Sequence, residues 1–156
     1  MLTGLTAFII AIVTACSPTT EVESFQSLKE DLGQDSRIVL YHQEDRIIKQ
    51  EITYTELYSV YEVGNRQEAK KELTDTFNFY KDVKGLNFKV YYGKDRLKRT
   101  ISIDYNKADV KEVAGLLHLS GSDAEIIGYI SFKEQEELLK RQGFHTVKNK
   151  NFKELP

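Results

Sequence analysis

The chain has a single cysteine in 156 residues, Cys16, so it has no partner for an intrachain disulfide, and its stability must come from packing. Tryptophan is absent, which leaves large aromatic contacts to nine tyrosines and eight phenylalanines. Neither sign of charge dominates: 22 Lys and Arg stand against 24 Asp and Glu, a formal net charge of −2. That balance gives no steering toward nucleic acid, and nucleic-acid binding is disfavoured. A long hydrophobic run is also missing. Residues 5–15 are apolar but too short to cross a bilayer core as a helix, which takes roughly 20 residues, and Cys16-Ser17-Pro18 stops the run. Internal repeats and low-complexity tracts are absent.

The short apolar run ends in Val13-Thr14-Ala15 directly before Cys16, the spacing of a lipobox. A short apolar segment closing on small residues reads as a removed secretory signal, and a cysteine at the first mature position is the thiol that carries diacylglycerol. The expected arrangement is a signal peptide over residues 1–15 and a lipidated Cys16 with a flexible tether to residue 23. A single domain over 24–148 and a polar tail over 149–156 follow. No Lys or Arg precedes Lys29, so the basic region of a signal is missing, and the expectation is a start codon upstream of Met1. The other reading of residues 5–15, a buried core helix, is weakened by the lipobox spacing.

Residues 37–43 and 46–54 are rich in β-branched and aromatic residues and read as two strands joined at Glu44-Asp45. Phe25, Leu28 and Leu32 have helical spacing in a strand-rich neighbourhood, and residues 25–32 are read as a strand. Over residues 66–83, Ala69, Leu73, Thr76, Phe77 and Tyr80 form one stripe of an amphipathic helix, capped by Asn65 and ended by Gly85. Leu86, Phe88, Val90 and Tyr92 alternate with polar residues and Tyr91. Past Gly93-Lys94-Asp95 the same period returns in Leu97, Ile101, Ile103 and Tyr105, a β-hairpin. Residues 109–119 predict a short helix, followed by a loop at residues 120–123. A last helix is marked by Ser131 with Glu134 as a capping box and by Gly143 before Phe144 as a Schellman ending. Residues 144–147 predict an edge strand, and the tail is polar enough to fray.

No catalytic, metal or cofactor motif stands out. His42, His118 and His145 lack the spacing that places two imidazoles on one helix face. No Gly-x-Ser-x-Gly turn is present. Glu136-Glu137 belongs to a solvated helix face, and Gly121-Ser122-Asp123, with Glu125, falls short of the six to eight oxygens calcium takes. Lys94, Arg96, Lys98 and Arg99 crowd the hairpin tip, where alternation splits them between faces. They could meet anionic head groups, although guarding the hairpin against edge pairing explains them better. Tyr91, Tyr92 and Tyr105 on the sheet offer a ligand or partner surface, although core tyrosine is the commoner case.

Residues 84–92 (KGLNFKVYY) and 101–109 (ISIDYNKAD), with residues 130–144 as a closing helix, resemble the YehR-like family of small bacterial lipoproteins. The resemblance spans most of the mature chain, thins over residues 21–61, and implies a lipid-anchored α+β domain with no catalytic or binding residue to carry over. The reading is an α+β domain, an antiparallel sheet of five or six strands with three helices on one face. The expected protein is a noncatalytic lipoprotein held by Cys16 on the extracytoplasmic face of the cell membrane, or of the outer membrane in a Gram-negative host. Its expected partners are the membrane, through the lipid, and a small ligand or envelope protein, with no cofactor. The alternatives are an extracytoplasmic hydrolase with a site assembled from distant residues, and a passive structural lipoprotein.

Overall fold

The computed structural model describes residues 18–80, 82–116 and 128–156. The alternating segments form β1 (Glu21–Lys29), β2 (Gln34–Gln43), β3 (Arg46–Leu57), β4 (Leu86–Tyr92), β5 (Arg96–Asp104) and β6 (His145–Thr146). They make one six-stranded sheet in the order β4-β5-β3-β2-β1-β6, with every pair antiparallel. The helices are α1 (Arg66–Leu73), α2 (Val110–Leu116) and α3 (Phe132–Arg141). The α+β class and the antiparallel sheet, with three α-helices among the described residues, are as the sequence indicates.

Register explains how the two faces divide. Phe25, Ile38, Ile52, Ile101 and Phe88 line up as one rib across β1, β2, β3, β5 and β4. With Leu40, Ile47 and Ile103 on the strands, Tyr105 just past β5, Val113 of α2 and Leu139 of α3, they form the main core. A second cluster gathers Tyr58, Val63, Ala69 of α1, Phe77 and Leu97. One residue further along each strand, side chains turn to the opposite face. There the rib reads Gln26, Arg37, Thr53, Thr100 and Lys89. The helix-bearing face is therefore apolar and the other polar, a common division in antiparallel sheets.

Local chemistry sets the helix ends. Ser131 accepts from the Glu134 amide at 3.3 Å. Asp45, in the β2–β3 turn, reinforces this cap from outside the helix, accepting from Ser131 Oγ at 2.9 Å and from the Lys133 amide at 3.0 Å. At the other end Gly143 has φ +86°, the Phe144 amide donates to Leu139 O at 3.0 Å and the Gly143 amide to Lys140 O at 3.1 Å. That is the Schellman pattern, and Phe144 packs against the core that holds Leu139. Gly85 has φ +80°, and a Cβ there would fall 2.6 Å from the Ala108 backbone nitrogen, so this junction needs glycine for both space and conformation.

Four expectations are corrected. The helix over residues 66–83 stops at Leu73 and is followed by a 3-10 segment, Asp75–Tyr80. Thr74, Asp75 and Thr76 are weak helix formers, although Ala69 and Phe77 still reach the core as the stripe requires. Residues 25–32 are not all strand: β1 ends at Lys29, and Glu30–Leu32 form a 3-10 turn closed by Gly33 at φ +65°. The tether to residue 23 is shorter than expected, because β1 begins at Glu21, where Glu21, Val22 and Glu23 pair with His42, Tyr41 and Leu40. The tail over 149–156 does not fray: it is bound across the polar face, and Leu155 is 5% exposed. Residues 1–15, Cys16, His118 and the loop at 120–123 lie outside the described residues.

Candidate binding groove on the open sheet face

The C-terminal segment 147–156 acts as a strap over β1 and β2. After β6, the Val147 amide donates to Ser24 O at 2.7 Å. Gln26, buried in β1, treats the strap as a neighbouring strand: its Nε2 donates to Lys153 O at 2.7 Å and its Oε1 accepts from the Lys153 amide at 3.0 Å. The same Nε2 donates to Asp35 Oδ1 at 2.8 Å. Asp35 is fully buried and accepts from Arg37 Nε at 2.7 Å. Arg37 in turn donates to Lys153 O at 2.8 Å and to Glu154 at 3.0 Å, and lies 5.1 Å from the Phe152 ring centroid. Arg96 finishes the clamp, donating to Leu155 O and Pro156 O, each at 2.9 Å.

Because the strap covers β1 and β2 and meets β5 at Arg96, the remainder of the polar face over β3, β5 and β4 stays open among the described residues. A groove of about 520 Å³ lies there between Lys150 and Phe152 of the strap and the edge strand β4. Its floor follows two register rows: Glu51, Ser102 and Asn87, and beside them Thr53, Thr100 and Lys89. The side chains of Thr53, Thr100, Ser102, Asn87 and Lys89 make no hydrogen bond or ion pair with another described residue. Glu51 is already engaged, accepting from Lys49 Nζ at 2.6 Å and from the Tyr41 hydroxyl at 3.1 Å. Burial works against its charged form, but those hydrogen bonds outweigh it and hold the carboxyl below its usual range. Lys150 Nζ donates to the Tyr41 hydroxyl at 3.0 Å.

The three tyrosines expected on one surface are not brought together. Tyr91 is 66% exposed on the open face, opposite Lys98. Tyr92 points the other way and packs on the second core cluster. Tyr105 is buried in the main core, where its hydroxyl donates to Gln50 Oε1 at 2.8 Å and burial pushes the phenol pKa up. His42 is buried and stacked on Phe132 with centroids 3.8 Å apart, and His145 is exposed on β6. The tip cations do split between faces: Arg99 turns inward to Glu56, lying 4.9 Å from the Tyr54 ring and 5.0 Å from the Phe77 ring. Among the described residues, no cluster of three or more His, Cys, Asp or Glu could hold a metal ion.

Comparison with known proteins adds a family to this geometry. The model of a family described as "Protein of unknown function (DUF1307)" matches residues 21–145. The chain belongs to this family. The match begins at the first residue of β1 and ends at the first residue of β6, so the family segment contains β1 to β5 whole and stops before the strap. The uncharacterized lipoprotein Lin0239 of Listeria innocua is 32% identical over 149 residues, covering 93% of this chain and 94% of that protein. The uncharacterized lipoprotein Lmo0207 of Listeria monocytogenes is 26% identical over 136 residues, 87% of each chain. The NMR structure of the Escherichia coli YehR protein superposes with a TM-score of 0.71 at 23% identity, covering 86% of this chain and 95% of that one. At that identity the likeness concerns the fold, and the fold is the family's. The resemblance read from residues 84–92, 101–109 and 130–144 thus leads to the same family.

Proposed function

We propose that this protein is a noncatalytic binding module, held by a lipid on Cys16 at the extracytoplasmic face of the membrane, and that it binds its ligand on the open sheet face. The observation that carries the reading is the groove, a concave floor on which the side chains of Thr53, Thr100, Ser102, Asn87 and Lys89 have no partner among the described residues, beside a strap that shapes one wall. Sites of this kind present a few convergent polar groups in a preformed depression. The lipoprotein names of the relatives and the lipobox Val13-Thr14-Ala15 before Cys16 support the anchor.

Two measurements on intact cells test it. Intact mass of the membrane-extracted chain should show loss of residues 1–15 and a diacylglyceryl addition that disappears in Cys16→Ser. A membrane-impermeant amine reagent should modify Lys71, whose side chain is 83% exposed, while Lys89 in the groove reacts more slowly than in the purified chain. Equal reaction of Lys89 in cells and in the purified chain would refute binding at this face. An unmodified Lys71 would refute the extracytoplasmic address.

A further inference from the structure

The groove carries enough chemistry to name the class of ligand. We infer that it binds an anionic polyol, a hydroxyl-rich molecule bearing a phosphate or carboxylate. This rests on the reading of the open face as a binding surface.

Three observations lead there. The floor offers two threonine hydroxyls, a serine hydroxyl and an asparagine amide, from Thr53, Thr100, Ser102 and Asn87. Hydroxyls and amides both donate and accept, so they suit ligand hydroxyls, which do the same. Val39 and Phe152 are the apolar residues of the lining, beside eight polar or charged ones. Tyr92 and Tyr105 face away, Tyr91 stands on the open face but outside the lining, and the ring in the lining, Phe152, lies against the Arg37 guanidinium.

Charge then selects among polyols. Lys89 on the β4 side forms no ion pair with a described residue, and Lys150 on the strap side is bonded to a tyrosine hydroxyl rather than a carboxylate. The one acid in the lining, Glu51, is taken by Lys49 and Tyr41. The groove therefore presents cations at both walls, of which Lys89 has no counter-charge while Lys150 shares the Tyr41 hydroxyl with Glu51, and no free acceptor anion lies between them. Lys89 and Arg37 end the same register row, three strand spacings apart, or about 14 Å. Arg37 is already held by Asp35 and Glu154, which leaves Lys89 as the freest cation for an anionic group. Hydroxyls of the ligand would then lie along Thr100 and Thr53.

The test is an NMR titration of the full chain in detergent micelles, with sorbitol 6-phosphate, gluconate, sorbitol and inorganic phosphate as separate probes. The two anionic polyols should give saturable shifts at the amides of Asn87, Lys89, Thr100, Ser102 and Thr53. Sorbitol and phosphate, each carrying half of the recognised chemistry, should bind at least tenfold more weakly. Loss of a charge-assisted contact in Lys89→Gln, and of a hydroxyl in the near-isosteric Thr100→Val, should each weaken the anionic polyols about tenfold or more. Lys89 is exposed and Thr100→Val preserves shape, so unchanged amide dispersion elsewhere will certify the fold. Phosphate-selective or carboxylate-selective binding identifies which anionic source fits. Sorbitol binding as tightly as its phosphate at the same amides would overturn the charge selection while leaving the face a binding surface. No saturable shift at these amides with any of the four probes would overturn the inference. The Lys89 protection measured on cells reports on the broader reading independently of that result.

Discussion

Replacing Asp35 by alanine tests whether the strap is a structural part of the domain. Asp35 has no exposed surface and accepts from Gln26 at 2.8 Å and Arg37 at 2.7 Å. Both donors also hold the strap, through Lys153 O. Removing one partner of a buried ion pair typically costs about 3–5 kcal/mol, because the remaining charge is left without compensation. Arg37 keeps Glu154 and its side chain is 14% exposed, so the lower end, about 3 kcal/mol, applies. Native domains have roughly 5–15 kcal/mol in total, so the loss is a large share of it. With a urea slope of about 1–3 kcal/mol per M, the midpoint should fall by roughly 1–3 M. The chain has no tryptophan, so far-ultraviolet circular dichroism is the natural signal. Trypsin gives the local reading: cleavage after Lys150 should accelerate in Asp35→Ala more than unfolding alone explains, because the strap detaches before the sheet opens. A loss below about 1 kcal/mol with unchanged cleavage after Lys150 would refute the argument that Asp35 ties the strap to the sheet.

Two further predictions concern other contacts. Asp45→Ala should lower stability by about 1–2 kcal/mol by removing a cap that serves both Ser131 and the Lys133 amide; combined with Ser131→Ala the losses should fall short of additive, because the two side chains share one network, and strict additivity in a double-mutant cycle would contradict the shared cap. The carboxyl of Glu51 is held below its usual range, so it binds a proton more readily in the unfolded chain. Its contribution is fully present above the unfolded value of about 4.3 and is lost as pH falls through the lower folded value. Urea midpoints measured between about pH 5 and 3 should therefore fall less steeply in Glu51→Gln than in the parent chain, and parallel slopes would show that the Lys49 and Tyr41 contacts do not stabilise the carboxylate.

The sheet was legible because its signals are local and periodic. Leu86, Phe88, Val90 and Tyr92 alternate with polar residues and Tyr91, and the structure keeps that alternation along β4. Glu44-Asp45, Ser131 and Gly143 marked boundaries through turn and cap chemistry that acts within a few residues. The strap left no such signal. Its contacts join Gln26 to Lys153 and Arg37 to Glu154 across more than a hundred residues, and segment 148–156 has only Phe152 and Leu155 as larger apolar side chains, too few for a period. The site was half legible. Alternation already implied that Tyr91 and Tyr92, adjacent in one strand, face opposite sides, so grouping them as one surface ignored a signal the sequence carried. The polar ribs through Thr53, Thr100 and Lys89 were implied by the same alternation. Which part of the polar face stays open depended on the strap, and so did the groove.

On the proposed anchoring through Cys16, strand register gives the distance of the groove from the anchored end of the sheet. Gln43, at the end of β2, donates to Pro18 O at 3.3 Å and to Thr20 Oγ1 at 3.2 Å. Cys16 is two residues before Pro18 in the sequence, and two residues span at most about 7 Å, so a lipid on Cys16 would be tethered close to that end of the sheet. Register places Lys49 and Asp104 at the same end, and Leu57 with Arg96 at the other. At about 3.3 Å per residue, the nine residues of β5 put the hairpin tip at Gly93, Lys94 and Asp95 roughly 30 Å further out. With the sheet upright on such an anchor, tip cations at that distance would stand more than a Debye length of about 8 Å from the lipid head groups. Their engagement with Asp95, Glu56 and the strap is then their main electrostatic role. The rows through Glu51 and Thr53 lie two to four residues in from Lys49, roughly 7–13 Å above the anchored end. In that arrangement the strap borders the groove on one side and the edge strand β4 on the other.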